Sequence, residues 1–181
     1  MSSKPIIISI DGFASTGKST LAKKISNHLE YNYVDTGSIY RAITLFSINN
    51  SFFEPDSIKL NLLNEALNES SFVLNKDSNE LYFNDNKLDE EIRSHSVSEK
   101  VSIIAKIPLV RSFVLNQLRS LKIIKGLVIE GRDIGTVVFP NANYKFFFNG
   151  SIDTRVERRW NEMIKKNIKI SKTKIKKNII S

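Results

Sequence analysis

The sequence predicts an α/β domain in which a parallel sheet is flanked by helices. Residues 5–11, PIIISID, form a continuous β-branched run, which is typical of a strand buried on both faces of a sheet. A glycine-bounded loop follows, and then an amphipathic helix with Leu21 and Ile25 on one stripe. A second run, GLVIEGRD at 126–133, again reads as an apolar strand that ends in charges. Strand, glycine loop and helix in this order begin a βαβ unit.

Hydrophobic spacing predicts further strands and helices along the rest of the chain. Beyond residue 166 no stable period is visible, so no helix is predicted there. The predicted elements are a strand at 31–35, a helix from residue 36, an antiparallel hairpin of 71–76 and 80–85 that turns at 77–79, helical segments over 97–121 with a break at Pro108, a buried strand at 144–150 and a basic helix over about 153–166.

Length and composition predict one globular domain and exclude several kinds of site. The chain has 181 residues, 41% hydrophobic and 25% charged, and one domain usually has about 100–200 residues. With no cysteine and two histidines, disulfides and thiolate sites are excluded and a histidine-based metal site is disfavoured. The apolar runs are far shorter than the about 20 residues of a membrane span, and no signal-peptide layout is visible. We therefore expect a soluble, cytoplasmic protein without a membrane partner.

The net charge of +8 comes entirely from the end of the chain. Residues 155–181 contain 10 Lys and Arg against 2 acidic residues, whereas the rest of the chain has 17 of each sign. A nucleic-acid-binding domain usually carries a basic patch on its folded body. A basic tail on a neutral body therefore argues against a nucleic acid as partner.

A phosphate-binding loop lies between the first strand and the first helix. Residues 12–19, GFASTGKS, match the pattern G-x-x-x-x-G-K-[ST] without a mismatch. The two glycines permit backbone conformations in which main-chain N–H groups turn toward a phosphate. Lys18 brings a positive charge to the β- and γ-phosphates, and the Ser19 hydroxyl can bind Mg²⁺. The motif predicts a nucleoside triphosphate site, and the residues that would form it, with ATP as the nucleotide of a kinase, are Gly12, Phe13, Ala14, Ser15, Thr16, Gly17, Lys18, Ser19 and Thr20.

Polar and charged residues follow three strands of the predicted sheet. Open parallel sheets bind ligands beyond the carboxyl ends of their strands. Asp11 ends the first strand, Asp35 and Thr36 follow the second, and EGRD at 130–133 follows the strand after them. Glu130 is thereby placed to orient Mg²⁺-bound water or an arginine of the cleft. The phosphate loop by itself leaves a GTPase, a motor protein or a small-molecule kinase open.

Four segments of the chain resemble the bacterial cytidylate kinases. They are IDGFASTGKST, VDTGSIYRA, the stretch from Val101 to Arg111, and GLVIEGRDIGTVVFPNA, of which GRDIGTVVFP at 131–140 is the most specific. The resemblance covers about residues 5–160 and implies the three-layer P-loop nucleoside monophosphate kinase fold. The implied arrangement is a single kinase domain, 1–181, with a core at about 1–36 and 112–154, an inserted CMP-binding acceptor lobe at about 37–111, and a truncated lid with a basic tail at about 155–181.

The resemblance also implies a reaction and the residues that carry it. Members of the family transfer the γ-phosphoryl group of ATP to CMP or dCMP in the presence of Mg²⁺, which gives ADP and CDP or dCDP. Lys18 and Arg159 would be the catalytic residues of this chain, and the remainder of the site would bind small-molecule substrates. The residues that match the acceptor positions are Thr36, Arg41, Ser102, Arg111, Arg132 and Asp133.

The chemistry of these residue types agrees with a cytidine monophosphate as acceptor. Planar, bidentate donors bind a phosphate dianion best, and Arg41 and Arg111 would supply them. Cytosine presents an exocyclic amine beside two acceptors, N3 and O2. Asp133 can accept from the amine, while Ser102 and Arg132 can donate to the acceptors. A uracil carbonyl that faced Asp133 would be disfavoured.

The chain departs from the family pattern in two respects. It ends before the position of the family's second arginine cluster and last strand, so the strand that contains residues 146–148 is expected at the sheet edge. An exposed apolar edge invites association, although the family is monomeric. Glu130 stands where Asp is usual. The alternatives left open are another P-loop nucleotide or small-metabolite kinase, and a weakly active or non-catalytic nucleotide-binding relic.

Overall fold

The computed structural model describes residues 5–55, 57–75, 80–121, 123, 125–165 and 168–180. These residues form a four-stranded parallel sheet, a three-stranded antiparallel sheet and seven α-helices. Two short helical turns, Glu90–Arg93 and Ile134–Val138, lie between them. The elements are β1 (Ile6–Gly12), α1 (Lys18–Leu29), β2 (Asn32–Asp35), α2 (Thr36–Asn49), α3 (Leu60–Asn68), β3 (Phe72–Leu74), β4 (Leu81–Phe83), β5 (Asn86–Lys87), α4 (His95–Ile104), α5 (Pro108–Ser120), β6 (Gly126–Gly131), β7 (Tyr144–Phe148), α6 (Ile152–Lys165) and α7 (Lys172–Ile180).

The main sheet has the strand order β2-β6-β1-β7, and its neighbouring strands are parallel. Successive side chains of a strand point to opposite faces of a sheet. Ile8 and Ile10 of β1 pack on one face with Ala22 of α1, whereas Leu127 and Ile129 of β6 pack on the other. Both faces are covered by helices, which explains why these strands are apolar without interruption. The predicted three-layer α/β fold is confirmed.

The larger hydrophobic cluster joins the main sheet to the antiparallel sheet. Val34 of β2, Ile43 of α2, Leu63 of α3, Phe83 of β4 and Val114 of α5 all belong to this cluster and are buried. The segment expected as an inserted lobe therefore shares a core with the sheet. The lobe boundaries themselves stay a prediction, and α5 runs as one helix across the expected limit at residue 111.

The antiparallel hairpin forms where the alternation of apolar residues predicts it. Phe72 pairs with Phe83, and their rings stack with centroids 4.6 Å apart. The predicted turn at 77–79 lies outside the described residues. Pro108 lies in the first turn of α5. The N–H groups of a first turn have no acceptor within the helix, so the missing N–H of proline costs no helical hydrogen bond.

The end of the chain forms a helix that the sequence did not predict. The sequence predicts α6, and this helix is present. The prediction that no helix follows residue 166 is wrong for Lys172–Ile180. Helix α7 packs on α6, and Ile175 is buried between charged neighbours. The ammonium group of Lys172 lies 4.4 Å from the centroid of the Trp160 ring and pairs with Glu157. Tertiary contacts with α6 stabilise this helix where hydrophobic periodicity does not.

Strand β7 is an edge strand of the main sheet within the described part of the chain. The buried strand predicted at 144–150 is present, but its burial was predicted wrongly. Tyr144, Phe146 and Phe147 are 56%, 48% and 63% exposed, because β7 pairs with β1 alone. The expectation of an apolar sheet edge is therefore confirmed for these residues. Association through this edge stays a prediction.

Among the described residues, no single helix is both long and apolar enough to cross a membrane. Helices α4 and α5 reach that length and composition only when taken together, and they are bent by 97° at their junction. Each of them contributes buried side chains to the molecule, such as Val97 and Val114.

Two neighbouring leucines of α3 test whether this helix is part of the core. Leu63 is fully buried, whereas Leu62 is 45% exposed. We expect Leu63→Ala to lower the free energy of unfolding by about 2–5 kcal/mol, because it leaves a cavity in the shared core. The control Leu62→Ala should change it by no more than about 0.5 kcal/mol. Urea denaturation measures both values, and equal effects would contradict the packing of α3.

Candidate active site

The phosphate loop follows β1 directly, and its backbone has the conformation that its glycines permit. Gly12 has a φ of 144° and Gly17 a φ of 95°. A Cβ on Gly12 would lie 2.1 Å from the carbonyl oxygen of Phe148, so a side chain has no room there. Ser15 also has a positive φ, of 61°. Helix α1 starts immediately after the loop, and the N–H groups of its first turn, which includes the exposed Thr20, suit an anion.

Three cationic side chains hold the carbonyl oxygens of this loop. The Nζ of Lys18 donates to the Phe13 oxygen at 2.8 Å. From α6, the Nε of Arg155 donates to the Ala14 oxygen at 2.9 Å, and Nη1 of Arg158 donates to the Thr16 oxygen at 2.7 Å. The Thr16 hydroxyl donates to the Phe13 oxygen as well, at 2.9 Å. These contacts connect the backbone of the loop to Lys18 and to α6.

Arg155 and Arg158 are residues whose role sequence reasoning missed. Arg155 is 7% exposed, lies 4.9 Å from the centroid of the Phe13 ring, and donates to the Ile179 carbonyl of α7 at 3.3 Å. A basic helix suggests solvated side chains, and only its tertiary position buries this guanidinium. The available signal was the spacing of three residues between Arg155 and Arg158, which places both on one face of α6.

The Glu130 carboxylate lies at the carboxyl end of β6 and connects α1 with β2. It is 3% exposed and accepts two hydrogen bonds, from Ser19 Oγ to Oε2 at 3.0 Å and from the Tyr33 hydroxyl to Oε1. The Thr36 hydroxyl donates to the backbone carbonyl of Glu130 at 2.8 Å. Of the predicted residues, Ser19, Thr36 and Glu130 therefore lie together, and Tyr33 is an addition.

Burial and neighbouring charges change the pKa of two groups here. Burial and the nearby charge of Asp35 raise the pKa of Glu130, although its hydrogen bonds and Lys18 act in the opposite direction. Burial lowers the pKa of Lys18, and the charge of Arg132 lowers it further, while Glu130 and the other acids oppose this. Lys18 and Arg132 therefore lie within electrostatic reach of each other, as expected for one cleft.

Asp11 anchors the segment that follows β6. Its carboxylate is buried and accepts from the backbone N–H groups of Ile134 at 2.7 Å and Gly135 at 2.8 Å. A Cβ on Gly131 would lie 2.5 Å from the Thr36 hydroxyl. The glycines of GRDIG thus allow this turn to approach β1 and α2 closely. The carboxylate also fixes the direction in which Arg132 and Asp133 leave the strand.

Three arginines lie around the start of α2. Arg41 Nη1 donates to the Ser98 hydroxyl of α4 at 3.0 Å, and Arg93 pairs with Asp35 at 3.6 Å. Burial lowers the pKa of Arg41, and the charges of Arg159 and Arg93 lower it further, against Asp35 and Glu162. Such an excess of guanidinium charge in a half-buried place suits a bound phosphate.

Arg111 and Asp133 form an ion pair on the acceptor side. Arg111 Nη2 lies 2.8 Å from Asp133 Oδ2, and both side chains are 47% exposed. This hydrogen bond raises the pKa of Arg111. Burial raises the pKa of Tyr40, and both ionised groups are near enough to affect it. Ser102 is exposed on α4, one helical turn after the Ser98 that Arg41 contacts.

The oxygen atoms of Ser19 and Glu130 fit a magnesium ion. Mg²⁺ prefers oxygen ligands and usually keeps water and nucleotide phosphate oxygens in its coordination shell. Ser19 Oγ and Glu130 Oε2 are 3.0 Å apart beside the phosphate loop. No group of three or more His, Cys, Asp or Glu side chains that could hold a metal ion occurs in the described residues. Two protein oxygens fit a cation that takes its remaining ligands from the nucleotide and water.

The phosphate loop lies at the carboxyl edge of a parallel sheet, and a cluster of arginines lies beyond the neighbouring strand. Together these two features define a class of phosphotransferases. These proteins are the P-loop nucleoside monophosphate kinases, and the fold of this chain is consistent with that class. Their substrates are small molecules, and ATP is the donor expected of a kinase.

The comparisons with known proteins give the family. The protein-family model described as Cytidylate kinase matches residues 8–181 of this chain. The cytidylate kinase of Flavobacterium johnsoniae is 43% identical, over 98% of this chain and 79% of the relative. That of Flavobacterium psychrophilum is 42% identical (97% and 80%), and that of Parabacteroides distasonis 39% (97% and 79%). The chain belongs to the cytidylate kinase family and is a nucleoside monophosphate kinase, a transferase.

The raised pKa of Glu130 predicts how stability depends on pH. The unfolded chain ionises this carboxyl near its ordinary pKa of 4.5, whereas the folded chain ionises it only at a higher pH. Stability that is present below that ordinary value is therefore lost as the pH rises through the folded pKa. We expect the free energy of unfolding of the wild type, relative to Glu130→Gln, to fall as the pH rises from 4.5 through the folded pKa of Glu130.

Urea denaturation at several pH values measures this difference. Glu65→Gln, on the exposed face of α3, is the matched control and should show no such trend relative to the wild type. A difference between the wild type and Glu130→Gln that is constant over this range would contradict the burial of the carboxylate.

Proposed function

We propose that this chain transfers the γ-phosphoryl group of ATP to CMP or dCMP, with Mg²⁺ as cofactor, and releases ADP and CDP or dCDP. The observation that carries the proposal is the position of the guanidinium cluster of Arg41, Arg93 and Arg159. It lies beside Asp35, whose charge also acts on Lys18 of the phosphate loop. An anionic phosphate donor near Lys18 and an anionic acceptor near the arginines would thus bind on two sides of Asp35, at the end of β2. Membership of the cytidylate kinase family supports the choice of acceptor.

On the donor side, the phosphate loop binds ATP. Lys18 leaves the Phe13 carbonyl, from which it is 2.8 Å away, for the β- and γ-phosphates. The N–H groups at the start of α1 donate to the same phosphates. When bound, Mg²⁺ would neutralise part of the charge of the triphosphate. Ser19 would be its protein ligand, with Glu130 acting directly or through water.

On the acceptor side, Arg41 and Arg132 bind the monophosphate and direct one of its oxygens to the γ-phosphorus. The sequence predicted Arg111 beside Arg41 for this phosphate and Arg132 for the base. We exchange the two roles, because Arg111 pairs with Asp133, whereas Arg132 lies within electrostatic reach of Lys18. That oxygen is already ionised near neutral pH, so no general base is needed. Catalysis of phosphoryl transfer is mainly positioning and neutralisation of charge. Arg159, which now pairs with Glu162 at 2.8 Å, would release this partner and cover the transferring group.

The ion pair of Arg111 and Asp133 recognises the base. Its carboxylate and guanidinium stand side by side, 2.8 Å apart, and present an acceptor next to donors. This arrangement complements the amine and N3 of cytosine, and the exposed Ser102 of α4 would add a hydroxyl group. Uridine monophosphate would place a carbonyl against the carboxylate and leave it without a partner.

Competition between acceptor nucleotides tests the substrate. We expect the wild-type kcat/KM for CMP to exceed that for UMP by at least about 10²-fold, because the site binds the exocyclic amine. Asp133→Ala should bring this ratio close to unity and should weaken phosphate binding much less. Glu65→Ala, at an exposed acid of α3 that the proposed site does not use, should leave the ratio unchanged.

Turnover of ATP with CMP, dCMP and UMP measures these ratios, and titration of the ATP-loaded protein measures binding. Similar kcat/KM values for CMP and UMP in the wild type would overturn the assignment of the base site. Nucleotide binding without turnover of any acceptor would overturn the proposed reaction.

Substitution of the neighbours Arg158 and Arg159, one at a time, distinguishes a residue that supports the phosphate loop from one that takes part in catalysis. Arg158→Ala removes the hydrogen bond to the Thr16 carbonyl, so we expect the KM for ATP to rise by about 10-fold with kcat retained. Arg159→Ala removes charge from the transition state, so we expect kcat to fall by about 10²–10³-fold. Steady-state kinetics with varied ATP measures both, and a loss of the same parameter in both variants would contradict these roles.

A further inference from the structure

Tyr33 binds the carboxylate that faces the phosphate loop, and none of the sequence motifs gives it a role. Its hydroxyl donates to Oε1 of Glu130, while Ser19 Oγ donates to Oε2 at 3.0 Å. The two oxygens of one buried carboxylate therefore have different donors. One donor comes from β2 and the other from the first turn of α1.

The pairing of β2 with β6 brings the tyrosine and the glutamate together. Asp35 is opposite Glu130 in the register, and Tyr33 is two residues earlier on the same face of β2. Lys23 of α1 lies over the Tyr33 ring, 5.7 Å from its centroid. The ring is thus held between the sheet and α1, and it presents its hydroxyl to the end of the glutamate side chain.

The direction of the Ser19 proton decides whether this hydroxyl can bind a cation. A serine hydroxyl has one proton and two lone pairs. While the proton points to Glu130, the lone pairs are left for a cation beside the nucleotide phosphates. If Glu130 rotated away, the Ser19 proton would turn to another acceptor, and a lone pair would no longer face the cation.

We propose that Tyr33 is a positioning residue, whose hydroxyl fixes the Glu130 carboxylate so that Ser19 directs its lone pairs at the cation of Mg-ATP. The inference rests on one part of the proposed function, namely that Mg-ATP is the phosphoryl donor. In this role Tyr33 acts through Glu130, to which its hydroxyl donates. Such outer partners of metal ligands typically change metal affinity by about 10–100-fold.

Binding of ATP with and without metal tests the role of the hydroxyl. In Tyr33→Phe we expect calorimetry to show Mg-ATP bound about 10-fold more weakly, because Glu130 loses one of its two donors. The affinity for ATP in excess EDTA should equal that of the wild type. Tyr31→Phe is the matched control, since its ring packs beside Gly126, away from the carboxylate, and both affinities should be unchanged.

A double-mutant cycle tests whether Tyr33 acts through the carboxylate. In the Glu130→Gln background, Tyr33→Phe should cause no further loss of Mg-ATP affinity. Equal weakening with and without Mg²⁺, no weakening, or losses that simply multiply in the double variant would each overturn the inference. If thermal unfolding shows that Tyr33→Phe does not fold, Glu130→Gln alone must show the Mg²⁺-dependent loss, and its absence overturns the inference too.

These measurements also separate the inference from the proposed function. A wild type that binds Mg-ATP but does not phosphorylate CMP would contradict the proposed function and leave the result for Tyr33 intact. A wild type that phosphorylates CMP, with a Tyr33→Phe variant of unchanged Mg-ATP affinity, would overturn the inference alone.

Discussion

The buried Glu130 carboxylate and its hydrogen bonds connect the parts of the molecule that must be in register. A carboxylate that is 3% exposed needs hydrogen-bond donors, because burial without them would neutralise it. Ser19 of α1 and Tyr33 of β2 are those donors, and Thr36 donates to the carbonyl of the same residue. The start of α1, the end of β2 and the start of α2 therefore take their relative positions from the end of β6.

The charges of the cleft compensate one another only in part. The guanidinium groups of Arg41, Arg93 and Arg159 repel one another, and Asp35 and Glu162 compensate only in part. On the donor side, backbone carbonyls of the phosphate loop accept hydrogen bonds from Lys18, Arg155 and Arg158. The helices α6 and α7 thus support the phosphate loop as well as covering it.

Residues whose role follows from local sequence could be predicted, and those whose role follows from distant contacts could not. The conformations of Gly12 and Gly17 belong to a short motif, and the strand, loop and helix around it have clear periodicities. Arg155 was missed because a basic, amphipathic helix is usually solvated, and only α7 and the Phe13 ring bury it. Burial was wrongly predicted for β7, because an apolar run has the same appearance in a central strand and in an edge strand.

The sequence by itself determined the α/β class, the phosphate loop, the strand ends that carry charge and the resemblance to one family of kinases, because these depend on residue order within short segments. Tertiary structure decided which of the charged side chains face one another: Arg111 with Asp133, Arg93 with Asp35, and Tyr33 with Glu130. Hydrogen bonds and ion pairs form between atoms a few ångströms apart. Residues nearly a hundred positions apart, such as Tyr33 and Glu130, reach that distance only when parallel strands pair.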